Sequence, residues 1–313
     1  MLKHWISEAR PRTLLLGLTN CSLGCGLGFY YGAVNLYNLV VASLIIVTGV
    51  LLQVIANLAN DYGDACKNAD RGTRQGPIRG VMTGAISLMD LKKAMTYTII
   101  VTCITGALAV FMALYNNVAL FAWFLFLGII AIAAAIFYTV GMAYGYKSLG
   151  DLSVFIFFGI AAIIAPQVML VNISGGGDIV VYPDSVLLAI SVGLGSVMVL
   201  HVANMRDIQE DKITGKRTIA SRLGFKFSAY CHIALCVLTA LTSFFACYLS
   251  HKGWEISILL VALFPLFASV WRVFKNCTDS KKIAKELKYT LLGVSIHNIA
   301  WLVVLTVDFW SYY

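Results

Sequence analysis

The chain has 313 residues, 60% of them hydrophobic and 12% charged, with 23 Lys and Arg against 15 Asp and Glu for a formal net charge of +8. A mean hydropathy of +0.84, with charge well below the roughly 25% of soluble domains, excludes an ordinary water-soluble globule. It predicts an all-α, multi-spanning membrane helix bundle, and neither fold nor aromatic patterning supports a nucleic-acid partner for the positive charge.

The first twelve residues, MLKHWISEARPR, lack the apolar stretch and small-residue cleavage site of a signal peptide and read as a retained basic lead-in. Apolar runs then predict nine spans at about 13–34, 38–60, 91–114, 118–138, 151–172, 184–203, 227–249, 254–274 and 288–309. Nothing is left over for a soluble domain, so residues 1–313 read as one membrane domain. In the first span Gly17, Gly24, Gly26 and Gly28 let neighbouring helices approach closely, while SGGGD at 174–178 reads as an outer loop. The eight cysteines show no CxxC or Cys/His zinc spacing and read as reduced structural thiols, and the five histidines form no pair with ligand spacing.

The Lys and Arg positions orient these spans. The amino terminus and the loops after even-numbered spans hold 22 of the 23, and the opposite side holds only Lys252. By the positive-inside rule the amino terminus and those loops are cytoplasmic, which accounts for most of the net charge.

Two of the cytoplasmic loops begin with acidic elements. Span two runs into QVIANLANDYGDACKNAD, which sets Asn57, Asn60, Asp61 and Asp64 at i, i+3, i+4 and i+7 on one helical stripe. Span six runs into HVANMRDIQEDKITGKRT, and Asn204, Asp207 and Asp211 repeat the stripe at i, i+3 and i+7. An Asp costs about 2.5 to 3.5 kcal/mol at the centre of a membrane helix, so such clusters belong at a span's end and imply a partner. Carboxylates a turn apart suit hard, oxygen-seeking cations, and Mg²⁺ takes one or two of them while phosphate oxygens and water complete its shell. Arg71, Arg74 and Arg79 follow the first element, and Arg206, Lys212, Lys216 and Arg217 surround the second, as cations that would bind phosphate oxygens.

The stretches ARPRTL, NDYGDACKNAD with RQGPIRG downstream, YKSLGDLSVFIFFG and NMRDIQEDKITGKRT resemble, in order and spacing over nearly the whole chain, the UbiA superfamily of intramembrane aromatic prenyltransferases. Within it they are most similar to the branch acting on 1,4-dihydroxy-2-naphthoate. The resemblance implies about nine helices around a central cavity open to lipid, in a bacterial inner membrane. It implies Mg²⁺-dependent transfer of a polyprenyl group from polyprenyl diphosphate to 1,4-dihydroxy-2-naphthoate, with release of diphosphate and CO₂ and formation of demethylmenaquinone for menaquinone biosynthesis. It carries site roles onto Asn60, Asp61 and Asp64, and onto Asn204, Asp207 and Asp211. The four aspartates hold metal and act in catalysis, with Asp70 as an outer metal ligand because Asn68 stands where many members have their third Asp.

In that reaction the allylic cation needs shielding, and Tyr138 and Tyr144, in the cytoplasmic loop after span four, are ranked above Tyr62 and Tyr146 for it. Lys147 in the same loop would hold a phosphate oxygen or the acceptor's carboxylate; interfacial snorkelling is its plainer reading. Arg10 and Arg12 read equally as family signature and as orienting charge. Two alternatives stay open: transfer to another acceptor such as 4-hydroxybenzoate, and a cation-coupled transporter. Transporter sites lie near the bilayer midplane on broken helices, often in inverted repeats, whereas these acids lie at cytoplasmic ends in the same orientation.

Overall fold

The computed structural model describes residues 2–66, 79–173, 179–250 and 254–311, and among these the apolar runs are helices throughout. In lipid, with no water for backbone groups, each run must close its own N–H···O=C bonds. The order is α1 (Leu2–Ala9), α2 (Pro11–Tyr31), α3 (Leu36–Cys66), α4 (Leu88–Leu114), α5 (Val118–Phe137), a 3₁₀ turn (Tyr144–Tyr146), α6 (Gly150–Val154), a π-helical segment (Phe155–Ala161) and α7 (Ala162–Ile173). Then follow α8 (Pro183–Arg206), α9 (Ile208–Thr214), α10 (Ile219–Ser250), α11 (Trp254–Lys275) and α12 (Ser280–Ser311). Among the described residues nine helices are long and apolar enough to cross a membrane, counting Gly150–Ile173 as one. They match the nine predicted spans in order. The protein is an integral membrane protein.

The helices overrun the predicted spans chiefly at the ends that carry the acidic elements and most Lys and Arg. α3 continues to Cys66 where hydropathy ends at 60, and α10 and α12 begin at Ile219 and Ser280 rather than 227 and 288. Hydropathy reports where lipid stops, but intrahelical bonding continues into water wherever sequence allows. One predicted feature is corrected here. Asn204, Asp207 and Asp211 do not share one helix: α8 ends at Arg206, Asp207 leaves helical geometry (φ −97, ψ 8), and Asp211 lies on the separate short α9. Periodicity alone cannot register a break that costs one residue.

α8 sits centrally, packed on α10, α12 and the π-helical segment, while α2 packs on α7, α12 and α3, and α4 on α3. α5 touches α3 and α4 and leaves most of its surface to lipid. Close approach needs glycine where segments cross. A Cβ on Gly159 would lie 2.4 Å from Gly193 Cα, and one on Gly24 would lie 2.4 Å from the Ala162 carbonyl oxygen. The π-helical turn displaces a carbonyl from the regular ladder. Asn20 Nδ2 donates to Phe158 O at 2.7 Å and to Ser196 Oγ at 3.0 Å, and Asn298 Nδ2 donates to Asn20 Oδ1 at 2.7 Å. This buried polar knot ties α2, α8 and α12 around the irregular turn. At the opposite end of the bundle from the acidic elements, Tyr30 donates to Asp308 at 2.6 Å and Tyr31 to Asp184, so these buried acids have donors on the cation-poor side.

Candidate active site

Within the bundle lies a cavity of about 1700 Å³ walled by α2, α3, α4, α5, the π-helical segment and α8. Side chains such as Leu52, Val110, Leu127, Phe157, Ile160 and Met169 make most of the wall apolar. One end is polar, lined by Asn60, Asp64, Arg79, Asn204, Arg206 and Asp207.

The end of α3 brings Asn57, Asn60 and Asp64 of the first acidic element to the cavity, while Asp61 does not line it. Asn60 accepts from Thr139 Oγ1, Asp64 accepts from the Tyr146 hydroxyl at 2.5 Å, and Asn57 Nδ2 donates to Ala9 O at 3.1 Å. Gly63 lets the 138–140 turn approach, since a Cβ there would lie 2.8 Å from Thr139 Cγ2. Asp61 is buried and does not line the cavity. Its Oδ1 pairs with Arg10 and lies 3.7 Å from Arg79 Nε. Arg10 adopts a left-handed conformation (φ 54) directly before Pro11, a strained choice that caps α2 and places its guanidinium on Asp61.

Behind Asp61 stands Glu8, fully buried. Its Oε1 accepts from the backbone N–H groups of Gly80 at 2.5 Å and Val81 at 3.2 Å. Glu8 Oε2 and Asp61 Oδ2 are buried and accept no hydrogen bond among the described residues. Burial first, then the neighbouring Asp61 carboxylate, pushes Glu8 up to about 7. Arg79 Nη1 also donates to Ser7 O at 2.8 Å, so α1 is strapped across the first element.

The second element is arranged differently. Arg206 holds Asp207 in a two-pronged pair, with both Nε and Nη2 at 2.6 Å. Asp211 is buried, accepts from Thr218 Oγ1 at 3.0 Å, and lies 4.0 Å from Lys216 Nζ. The loop after α5 joins the two elements. Arg217 N–H donates to Tyr146 O at 3.0 Å and Ser148 Oγ donates to Arg217 O at 2.7 Å, which pins this loop to the 215–218 turn. Lys216 Nζ then sits 5.4 Å from the centroid of the Tyr146 ring whose hydroxyl bonds Asp64. Tyr146 and Lys216 thus form a bridge from one acidic element to the other.

Tyr138 and Tyr144 both line the cavity, edge to face at 5.4 Å. Tyr138 packs over Gly145 and Gly150, and burial, with Asp151 nearby, raises its hydroxyl above the ordinary value and keeps it protonated. Lys147 and Lys212 are exposed and line no part of the cavity. Asp70, Arg71 and Arg74 lie outside the described residues. His201 and His232, thirty-one positions apart, meet as a buried stacked pair at 5.9 Å, an approach no sequence spacing signals. Glu8, Thr139 and Thr218 had no signal of their own, and Tyr146 was ranked low because a short loop between spans offers no periodic pattern to choose among its tyrosines.

The sequence profile of the UbiA prenyltransferase family matches residues 21–292. The chain is 39% identical over 309 residues to a 1,4-dihydroxy-2-naphthoate octaprenyltransferase of Haemophilus influenzae, covering 95% of this chain and 92% of that protein. It is 33% identical over 309 residues to the protein of the same name in Escherichia coli, covering 98% and 96%. Among solved structures it matches a UbiA homolog from Archaeoglobus fulgidus bound to GPP and Mg²⁺, with a TM-score of 0.62 at 16% identity, covering 96% of this chain and 99% of that one.

Proposed function

The chain belongs to the UbiA prenyltransferase family, and on that premise we propose that it transfers a polyprenyl group from polyprenyl diphosphate to 1,4-dihydroxy-2-naphthoate. The products are diphosphate, CO₂ and demethylmenaquinone in its quinol form, a step of menaquinone biosynthesis. The lining of the cavity carries this reading: a mostly apolar chamber that also holds amides, carboxylates and the cations Arg10, Arg12, Arg79, Arg206 and Lys216. That matches a substrate with a diphosphate head and an apolar tail. The names of the bacterial relatives support the naphthoate as acceptor.

The donors at the polar end, Asn60, Asp64, Asn204 and Asp207, are mainly oxygens and fit Mg²⁺, a hard cation. Among the described residues no three His, Cys, Asp or Glu groups gather as a ready metal cage, so diphosphate oxygens would complete the shell. Asp61 and Asp211 stand behind this set. Bound Mg²⁺ would supply charge neutralisation for the departing diphosphate.

The chain's own residues do the rest. Arg79, Arg206 and Lys216 attract and orient the diphosphate, with Arg10 setting Asp61 and Arg79 in place. The allylic C–O bond breaks with its electron pair on the diphosphate. The faces of Tyr138, Tyr144 and Tyr146 shield the resulting cation, and the apolar wall excludes water that would quench it. The naphthoate ring carbon bearing the carboxylate supplies the electron pair for the new C–C bond, and loss of CO₂ returns an electron pair to the ring. Lys147 and Lys212 are assigned orienting and headgroup roles instead. The 22-to-1 split of cations supports a cytoplasmic amino terminus and cytoplasmic acidic elements, with the whole chain acting as one membrane domain.

The test is an assay of purified protein with polyprenyl diphosphates and a panel of aromatic acids, with and without Mg²⁺. Prenylated naphthoquinol with CO₂ and diphosphate in equal amounts is the expected outcome. Prenylation of 4-hydroxybenzoate in place of the naphthoate would overturn the acceptor, and cation flux without any product would restore the transporter.

A further inference from the structure

Away from the cavity, the cytoplasmic ends of α11 and α12 enclose a second pocket of about 400 Å³, lined by Arg272, Asn276, Lys282, Lys285, Glu286 and Tyr289. Its charge is not loosely scattered. Arg272 Nε is held by Glu286 Oε1 at 2.9 Å, and its guanidinium lies 4.8 Å from the Tyr289 ring centroid. Glu286 is itself buried, and its Oε2 accepts from Ser269 Oγ at 3.1 Å, with Thr290 Oγ1 2.9 Å from the same hydroxyl. This network holds Arg272 through its Nε and its ring contact, and Lys282 and Lys285 line the same pocket. Glu286 matches Arg272 and Asp279 lies 3.5 Å from Lys282, so Lys285 leaves the pocket with one net positive charge.

On the membrane side the same two helices expose an apolar face with an interfacial aromatic rim: Trp271, Phe264 and Phe267 on α11, and Tyr289 and Ile296 on α12. A fixed, net-positive pocket opening at the interface directly onto a lipid-facing apolar strip has the charge and polarity pattern of a phospholipid. We propose that this pocket binds the phosphate of an anionic phospholipid headgroup, with the acyl chains lying against the α11–α12 face. Lys282 and Lys285 confer the preference for an anionic over a zwitterionic headgroup, and Arg272 forks onto the phosphate.

The test is native mass spectrometry of the purified full chain titrated with phosphatidylglycerol, with phosphatidylcholine, and with inorganic phosphate, alongside thermal unfolding in the same additives. Wild type is expected to retain phosphatidylglycerol over phosphatidylcholine, and the double variant Lys282→Gln/Lys285→Gln to lose roughly tenfold or more in that affinity. That variant leaves the Arg272–Glu286 pair intact, so it is expected to fold and keep its activity. The comparison variant Lys92→Gln/Lys93→Gln removes the same charge elsewhere on the cytoplasmic side and is expected to retain the preference. Equal binding of the two lipids, or an equal loss in both double variants, would overturn the proposal by reducing the effect to general surface charge. Stabilisation by inorganic phosphate as large as that by phosphatidylglycerol would overturn it in favour of a soluble anion.

Discussion

At the scale of single residues, the bridge between the two acidic elements matters more than any one aspartate. Tyr146 donates to Asp64 and stacks beneath Lys216, which faces Asp211. Tyr146→Phe keeps the ring and removes the donor. A hydrogen bond to a charged group is worth about 1.5 to 3 kcal/mol, so if it also positions Asp64 for the reaction kcat should fall roughly 10- to 100-fold while the circular dichroism spectrum stays that of the folded protein. Unchanged turnover would assign the hydroxyl to packing alone. The two lysines flanking the second element should separate in the same assay. Lys216→Met is expected to raise KM for the prenyl diphosphate about tenfold, because its ammonium faces the cavity, whereas Lys212→Met, exposed and outside it, should change KM by less than about twofold. The sequence offers both as neighbours of Asp211, and only the turn at Gly215, with its positive φ of 75, separates their directions.

At the scale of elements, α1 is a strap rather than a span. It is held by Glu8 on the 80–81 backbone, by Arg79 on Ser7 O and by Asn57 on Ala9 O. The Glu8 value of about 7 lies above its ordinary 4.5, so the attached state holds a proton that the detached state releases. The attachment is therefore strongest below about 4.5 and is lost as pH rises through about 7. Amide hydrogen exchange over residues 2–9, corrected for intrinsic rates, should quicken between pH 5 and 8 in wild type. Glu8→Gln, which does not titrate, should flatten that dependence; a wild-type profile that is already flat would refute the role of Glu8 protonation. The break between α8 and α9 belongs to this scale too. It lets Asp207 be grasped by its own neighbour Arg206 while Asp211 turns to Thr218, a division a continuous helix would not permit.

At the scale of the whole molecule, the bundle encloses one amphipathic chamber. Gly128 on α5 lines it and has nothing within 4 Å of where a Cβ would stand. Gly128→Phe should therefore fold normally and project a ring into the apolar part. Long-chain prenyl diphosphates are expected to lose roughly tenfold more kcat/KM than short ones, the scale of steric discrimination in an apolar pocket. An equal loss for all chain lengths would place the tail elsewhere.

Much of this architecture was legible from the amino acids alone. Membrane spans follow from hydropathy summed over contiguous residues and the helical course of the first acidic stripe from periodicity, both local properties that no distant contact needs to complete. Placement of Asn60 and Asp64 at the cavity's polar end accords with that stripe. The pairing of Tyr146 with the 215–218 turn, the withdrawal of Asp61 toward Glu8 and Arg10, and the meeting of His201 with His232 depend on segments 31 to 71 residues apart coming into register. Those contacts are set by how α2, α3, α8 and α10 pack against one another. Packing depends on glycine crossings and on buried polar bonds such as Asn20 to Phe158 O, which leave no periodic mark in the chain. The sequence by itself determined that this protein spans the bilayer and carries two acidic elements where spans end; tertiary packing alone decided which of their acids meet the cavity and which are locked behind it.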